Sequence, residues 1–264
     1  TNSSKAVGSN HQYCMVSSVN GELHIKGFDA DLTTTKTAKS KIIHTDGNNH
    51  LTVYEDSETN IHSRIDAMIN VAQNTANRIV QLDSIGDDED YKKLPSGSNG
   101  HLYIDITKAG SGTYYINLDK WPTLKSKLAE TGQVHFKKKT DQKIVIYSQD
   151  SNVTIRKYDV ANGGDNYEDS NTIANHSTYD NPVIEDIIFV VPGKSNVTLD
   201  GVAGIFIMPQ ATVTLGNTSG GWLVCDNFTN GAGEWHFTNG HLPSPTDASA
   251  ELDMIITKEL IGGT

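Results

Sequence analysis

The sequence has 264 residues, 36 % hydrophobic and 20 % charged, with a formal net charge of −11. This is a polar but globular composition, long enough to bury a core in one large β domain or two smaller ones, and without the apolar depletion of a disordered chain. Arg64, Arg78 and Arg156 are its only arginines, so a basic face for nucleic-acid phosphates is not expected, and anionic membranes are disfavoured for the same reason.

The chain begins TNSSKAVGSN, without Met, which reads as a mature or trimmed start. No apolar run approaches the roughly 20 residues that cross a bilayer, so membrane insertion by this segment is not expected. Cys14 and Cys225 lie near opposite ends. They form a candidate disulfide only if the fold brings those ends together; two buried free thiols are the other reading.

Gly21 to Leu32 alternates apolar and polar residues as a half-buried strand does, and KIIHTDGNNHLTVYED reads as two short strands around a polar turn. The period then changes. Ile65, Met68, Ile69, Ala72, Ala76, Ile79, Val80 and Leu82 recur near helical spacing, with Ser63 to cap the start and Gly86 to stop the end. After the acidic loop Asp87 to Lys93, strands resume at HLYIDIT and TYYINLD, and Trp121 to Ala129 reads as a short helical turn opened by Pro122. Further short strands follow to GEWHF, interrupted by a polar insertion at Ala161 to Pro182.

From Ile184 to Phe237 short apolar strands are separated by Pro-Gly, Asp-Gly, Pro-Gln and Gly-Gly corners, without hairpin turns of matched length. That pattern predicts a mainly β chain coiling in one direction, a right-handed parallel β-helix (a solenoid) with one long α-helix packed alongside it; a β-sandwich is the alternative. Leu242 to Asp253 is Pro/Ser-rich and reads as a linker, and MIITKELIGGT as the first strand of a further domain.

Several features in this order resemble the choice-of-anchor A domains of bacterial surface and secreted proteins. They are the helix IDAMINVAQNTANRIVQL, the YYINLD strand, IEDIIFVVPGKSNVTLDG, GIFIMPQATVTL with its Pro209 corner, and the closing Gly233-Glu234-Trp235-His236. The resemblance covers nearly all of residues 20 to 240 and departs from the family at the 161–182 insertion and the cysteine-bearing N-terminus. The tail Ile255 to Leu260 resembles the opening strand of collagen-adhesin B-type (Cna-B-like) stalk repeats, in which a lysine, here Lys258, forms an isopeptide bond with a later Asn. The domain division implied is 1–241 as the adhesin domain, 242–253 as linker and 254–264 as the start of a stalk repeat. The function implied is an adhesin head, at a pilus tip or on a cell-wall-anchored surface protein of a Gram-positive bacterium. Its expected partners are an extracellular-matrix or mucosal glycoprotein and other pilin or stalk domains.

Catalysis is not expected, and no cofactor. Asp105, Asp119, Asp186 and Asp200 sit in or beside strands, but no spacing forces any two together, and solvent-facing structural roles are the simpler reading. No HExxH, nucleophile elbow or phosphate-binding Gly loop is present. Glu234 and His236 share one face of a strand but are too few for a closed metal site, so Trp235 packing over the core is the expected role of that turn. Asp87 to Asp90 lacks the ligand order of a calcium loop, and the Lys137-Lys138-Lys139 run reads as protection of a strand edge.

The ligand contacts expected are Tyr158, Asp165, Tyr167, Asp169 and Tyr179, in and beside the insertion, where tyrosines supply rigid amphipathic area among adaptable Asn and Asp. A loop merely covering a sheet edge is the competing reading. Asn152-Val-Thr and Asn196-Val-Thr read as turn-plus-strand chemistry. Two other functions stay open. One is ice binding, hinted at by Thr33 to Thr35 and Ala211 to Thr214, although regular ranks of outward threonine are not evident in the sequence. The other is a spacer or pilin domain without its own ligand.

Overall fold

Alternation of apolar and polar residues carries most of this chain into strands. The computed structural model describes residues 14–16, 21–25, 42–44, 51–55, 58–85, 100–175, 181 and 183–236. These fall into two compact units, divided between Met68 and Ile69. The first contains β1 (Cys14–Val16), β2 (Gly21–Ile25), β3 (Ile42–His44) and β4 (Leu51–Glu55). The strands around the polar turn, β3 and β4, do not pair with each other. β3 pairs in parallel with β1, and β4 in parallel with β2.

Helix α1 (Glu58–Ile79) crosses the division. In the second unit its Ala72, Ala76 and Ile79 are buried, whereas Ile65 and Met68, before the division, are exposed. The expectation of one long helix packed alongside the strands is thus corrected, since the described side chains before Ile69 are exposed. From Ala72 onward the helix buries Ala72, Thr75, Ala76 and Ile79 and leaves Asn74, Asn77 and Arg78 exposed.

The second unit continues through β5 (Leu102–Asp105), β6 (Gly112–Asn117), α2 (Pro122–Leu128), β7 (Val134–Lys138), β8 (Gln142–Tyr147), β9 (Asn152–Arg156), β10 (Asp159–Asn162) and β11 (Glu168–Asp169). It then runs through α3 (Ser170–Ala174), α4 (Val183–Asp186), β12 (Ile187–Val190), β13 (Asn196–Asp200), β14 (Ala203–Asn217), β15 (Ser219–Asn230) and β16 (Trp235–His236). Pro122 opens α2 at a position whose N–H has no helical partner in any case. Strands β11-β10-β7-β5 form a four-stranded mixed sheet, antiparallel only between β10 and β11. The other is an eight-stranded parallel sheet along β16-β15-β14-β12-β8-β6, with β13 and β9 joined to it off that path.

These ladders correct the expected solenoid. The chain is mainly β, but its strands build a parallel half-barrel sheet and a separate mixed sheet, not a right-handed parallel β-helix of separate short coils. The Met208-Pro209 corner, expected between two short strands, is a bend within β14. On one side of it Ile205–Ile207 pair with β12, and on the other Thr212–Leu215 pair with β13. Proline has no N–H to give a ladder, and the β14–β15 register breaks between Met208 and Thr212. Corner residues in a sequence mark where a strand turns, but not whether the strand ends there. The parallel ladders also leave no room for a sandwich of antiparallel hairpins.

An aromatic series runs through the core. Phe136 packs edge-on to Tyr158 at 5.6 Å between ring centres, Tyr158 lies 5.7 Å from Phe189, and Phe189 stacks on Phe206 at 5.5 Å. Such pairs add about 0.5–1.5 kcal/mol each beyond their buried area. Gly204 and Gly221 face one another across β14 and β15. A Cβ on Gly221 would collide with the Gly204 carbonyl oxygen, so glycine there is a requirement of close approach.

Candidate functional site

In β5 and β7 the alternate residues Leu102, Ile104, Val134 and Phe136 are buried, which leaves Tyr103, Asp105, His135 and Lys137 on the other face of the mixed sheet. The register sets Tyr103, His135 and Asp159 in one row across β5, β7 and β10. The Tyr103 ring stacks on His135 at 4.4 Å, and His135 Nδ1 lies 2.8 Å from Asp159 Oδ2. His135 Nε2 is 2.8 Å from His101 Nδ1, with the two rings only 8° from parallel. The Gln133 amide approaches the far side of His101 at 3.4 Å. One proton on Nδ1 of each imidazole satisfies every bond in the same direction, from Gln133 through both rings to the Asp159 carboxylate. Such a chain locks the rings in place.

Tyr167, from the insertion, stands edge-on to both Tyr103 at 6.1 Å and His135 at 5.5 Å, and is 41 % exposed. Burial of the rest of the ring, with the charge of Asp105 nearby, pushes its phenol up to about 12, so it remains a hydrogen-bond donor at neutral pH. Tyr103, His101, His135, Asp105 and Asp159 were not among the expected contacts. Strand alternation alone places Tyr103 and Asp105 outside; their meeting with Tyr167 depends on register.

The other expected ligand contacts fare differently. Tyr158 is fully buried and donates to the Ala203 carbonyl oxygen, so it is a core residue; burial raises its phenol far above the usual range. Asp169 caps α3, accepting from Thr172 N at 2.9 Å and Thr172 Oγ1 at 2.8 Å. Burial alone would raise its carboxyl, but these bonds and Lys157 hold it below the usual range. Asp165 is exposed, its N–H bonded to the Asn162 carbonyl. Tyr179, Gly86, the Asp87–Asp90 loop, the linker at 242–253 and Lys258 lie outside the described residues, as does the side chain of Cys14. Cys225 is a free, partly buried thiol, which burial and then Asp226 push up to about 11.

The four strand aspartates are held by separate structural partners. Asp119 accepts from Ser148 Oγ at 2.5 Å and Gln149 N at 2.7 Å, Asp200 from Arg156 at 2.5 Å, and Asp105 from Thr107 N at 2.9 Å. Asp186, expected to face solvent, is buried against Lys138 at 2.7 Å. The lysine run is corrected too: β7 lies between β5 and β10 and guards no edge, and Lys138 is wholly buried. In the closing turn Trp235 donates to the Gly221 carbonyl at 3.2 Å and packs edge-on to Phe206. His236 bridges Glu234 and the Ala174 carbonyl, each at 3.0 Å.

A second surface is repetitive. On β9, β13, β14 and β15 the register aligns Thr154, Thr198, Thr214 and Thr229 in one rank, and Asn152, Asn196, Thr212 and Asn227 in the next. Beneath them Val153, Val197 and Val213 are buried. Threonine ranks are therefore present, where the sequence showed none, because residues distant along the chain meet only through register.

Among the described residues, no group of His, Cys, Asp and Glu side chains is arranged to hold a metal ion, and no helix is long and apolar enough to cross a membrane. No protein-family model matches the chain, and no curated protein or solved structure matches it.

Proposed function

We propose that this chain is a cell-surface adhesin head that binds a glycoprotein polymer of a host or environmental surface, such as mucin or an extracellular-matrix protein. The observation that carries the reading is the exposed Tyr167 edge beside the stacked Tyr103–His135 pair, with Asp105 and Asp159 nearby. Rigid aromatic faces beside fixed polar groups suit sugar rings and extended peptides, since they bind apolar faces at little entropic cost. The resemblance to choice-of-anchor A domains supports the same reading, as does the Cna-B-like tail, which supplies the stalk partner and the cell-wall or pilus setting. No catalytic step and no cofactor belong to this proposal.

Solid-phase binding of the chain to mucin, collagen and fibronectin tests it. Saturable binding to one of them, weakened about tenfold by Tyr167→Ala, is the expected result. Retention no greater than that of an unrelated β domain on all three ends the proposal.

The threonine and asparagine ranks favour a second reading, ice binding. Parallel strands space such side chains about 4.8 Å apart across the sheet and about 6.6 Å apart along it, a repeating hydroxyl and amide array suited to ordered water. Thermal hysteresis of a cooled solution separates the two, because an adhesin for glycoproteins shows none.

A further inference from the structure

On the inner side of the mixed sheet, the period of two that buries Val134 and Phe136 carries Lys138 inward as well. Lys138 is the register partner of Asn162 on the neighbouring strand β10. Its Nζ lies 2.7 Å from Asn162 Oδ1, 2.7 Å from Asp186 Oδ2 and 2.8 Å from the Lys139 carbonyl oxygen. Taking an ammonium and a carboxylate out of water costs several kcal/mol for each ion, and apolar residues of similar volume often serve stability as well or better. A wholly enclosed lysine aimed at an amide, with a carboxylate on the same nitrogen, is an arrangement suited to acyl transfer.

We propose that Lys138 and Asn162 become joined by an intramolecular isopeptide bond, with Asp186 as the catalytic residue that carries the proton. Asp186 takes one proton from Nζ, and the freed amine attacks Asn162 Cγ. The Nζ–Cγ bond forms, Asp186 returns its proton to the departing Nδ2 and relays a second proton from Nζ to the same nitrogen, and the Cγ–Nδ2 bond breaks. The new amide keeps one Nζ hydrogen, and the nitrogen of the Asn amide leaves as ammonium. No oxidant, metal or second substrate is required, and Asp186 ends in its starting state.

The geometry meets the requirements of that reaction. With Nζ 2.7 Å from the amide oxygen and a C=O bond of about 1.2 Å, the carbonyl carbon lies within about 4 Å of the nucleophile, near the separation of a reactive pair. The strands themselves hold both partners, so there is little orientational freedom left to lose. Burial pushes the Asp186 carboxyl above the usual range, against the lowering effect of Lys138, and a carboxyl so placed is suited to accept and return a proton.

The test is the intact mass of the folded full-length chain, followed by a proteolytic digest. The expected result is a mass lower than the sequence mass by one ammonia, with the Lys138 and Asn162 peptides recovered as a single branched species. Asp186→Asn and Lys138→Arg are each expected to run at their full sequence mass. If either variant fails to fold, the wild-type digest still decides. A folded wild-type chain at its full mass overturns the bond and leaves an ion pair only. Ammonia loss that maps to other residues, or that persists in folded Lys138→Arg, overturns it equally.

Discussion

The two parallel ladders of the larger unit differ in how they use register. Across β9, β13, β14 and β15 threonine fills one rank, and asparagine with the single Thr212 fills the next, so the outcome is a nearly uniform surface. Across β5, β7 and β10 each row mixes types: Tyr103, His135 and Asp159 outside, and Lys138 beside Asn162 inside. Repetition spreads weak interactions evenly over a sheet, whereas variation within a row creates local chemistry and makes single residues costly to lose.

Substitutions sharpen that contrast. The largest effect is expected from Lys138→Ala, which removes the link to Asn162 and the hydrogen-bond partner of the buried Asp186. A loss of about 3–5 kcal/mol, read by urea unfolding, is predicted, and the double change Lys138→Met with Asp186→Leu is expected to recover only the part due to the unpaired carboxylate, not the part due to the lost link. Tyr158→Phe deprives the Ala203 carbonyl of its buried donor and is predicted to cost about 1–2 kcal/mol by the same measurement. A smaller loss, about 1 kcal/mol, is expected for Asp169→Ala at pH 7, since the α3 cap goes with it.

Asp169 also adds an acid-side signature. Its carboxyl is held below the usual range in the fold, so the folded state releases this proton more readily than the unfolded one, whose value is about 3.9. Its stabilising effect is complete above that unfolded value and fades as pH falls through the lower, folded one. In Asp169→Ala this part of the pH slope is expected to vanish from unfolding curves recorded between pH 5 and pH 2, whereas an unchanged slope assigns the acid dependence to other carboxylates. The smallest effect belongs to the uniform ladder: Thr198→Val is expected to shift stability by no more than about 0.5 kcal/mol. A loss near that of Tyr158→Phe would erase the distinction between the two ladders.

Legibility in the sequence follows the same division. Alternation reveals strands wherever one face is buried, as in Asn152–Arg156 and Asn196–Asp200, and helical spacing reveals α1. How strands join is another matter. A Pro corner looks alike whether it ends a strand or bends one, which is why the β14 segment reads as two strands in the sequence. Tyr158 and Tyr167 stand in similar polar surroundings along the chain, yet one is enclosed by Phe136 and Phe189 and the other meets solvent. The clue for Lys138 was present in the period of two shared with Val134 and Phe136, but the adjoining Lys137 and Lys139 make the segment look like a solvated charge run. The aromatic row needed the register of β5 against β7, which no local pattern encodes.

Strand β14 has one more consequence, for how the protein is made. It pairs with β12 through its first half and with β13 through its second, so both ladders are completed only once β14 has left the ribosome. The partners on these ladders (Ile188↔Ile205 and Asn196↔Thr212) are close in sequence, so the loops to be closed are short and pairing follows soon after β14 is available. Chains ending before Ala203 leave β12 and β13 each with an unpaired edge, and such fragments are expected to aggregate more readily than the folded protein.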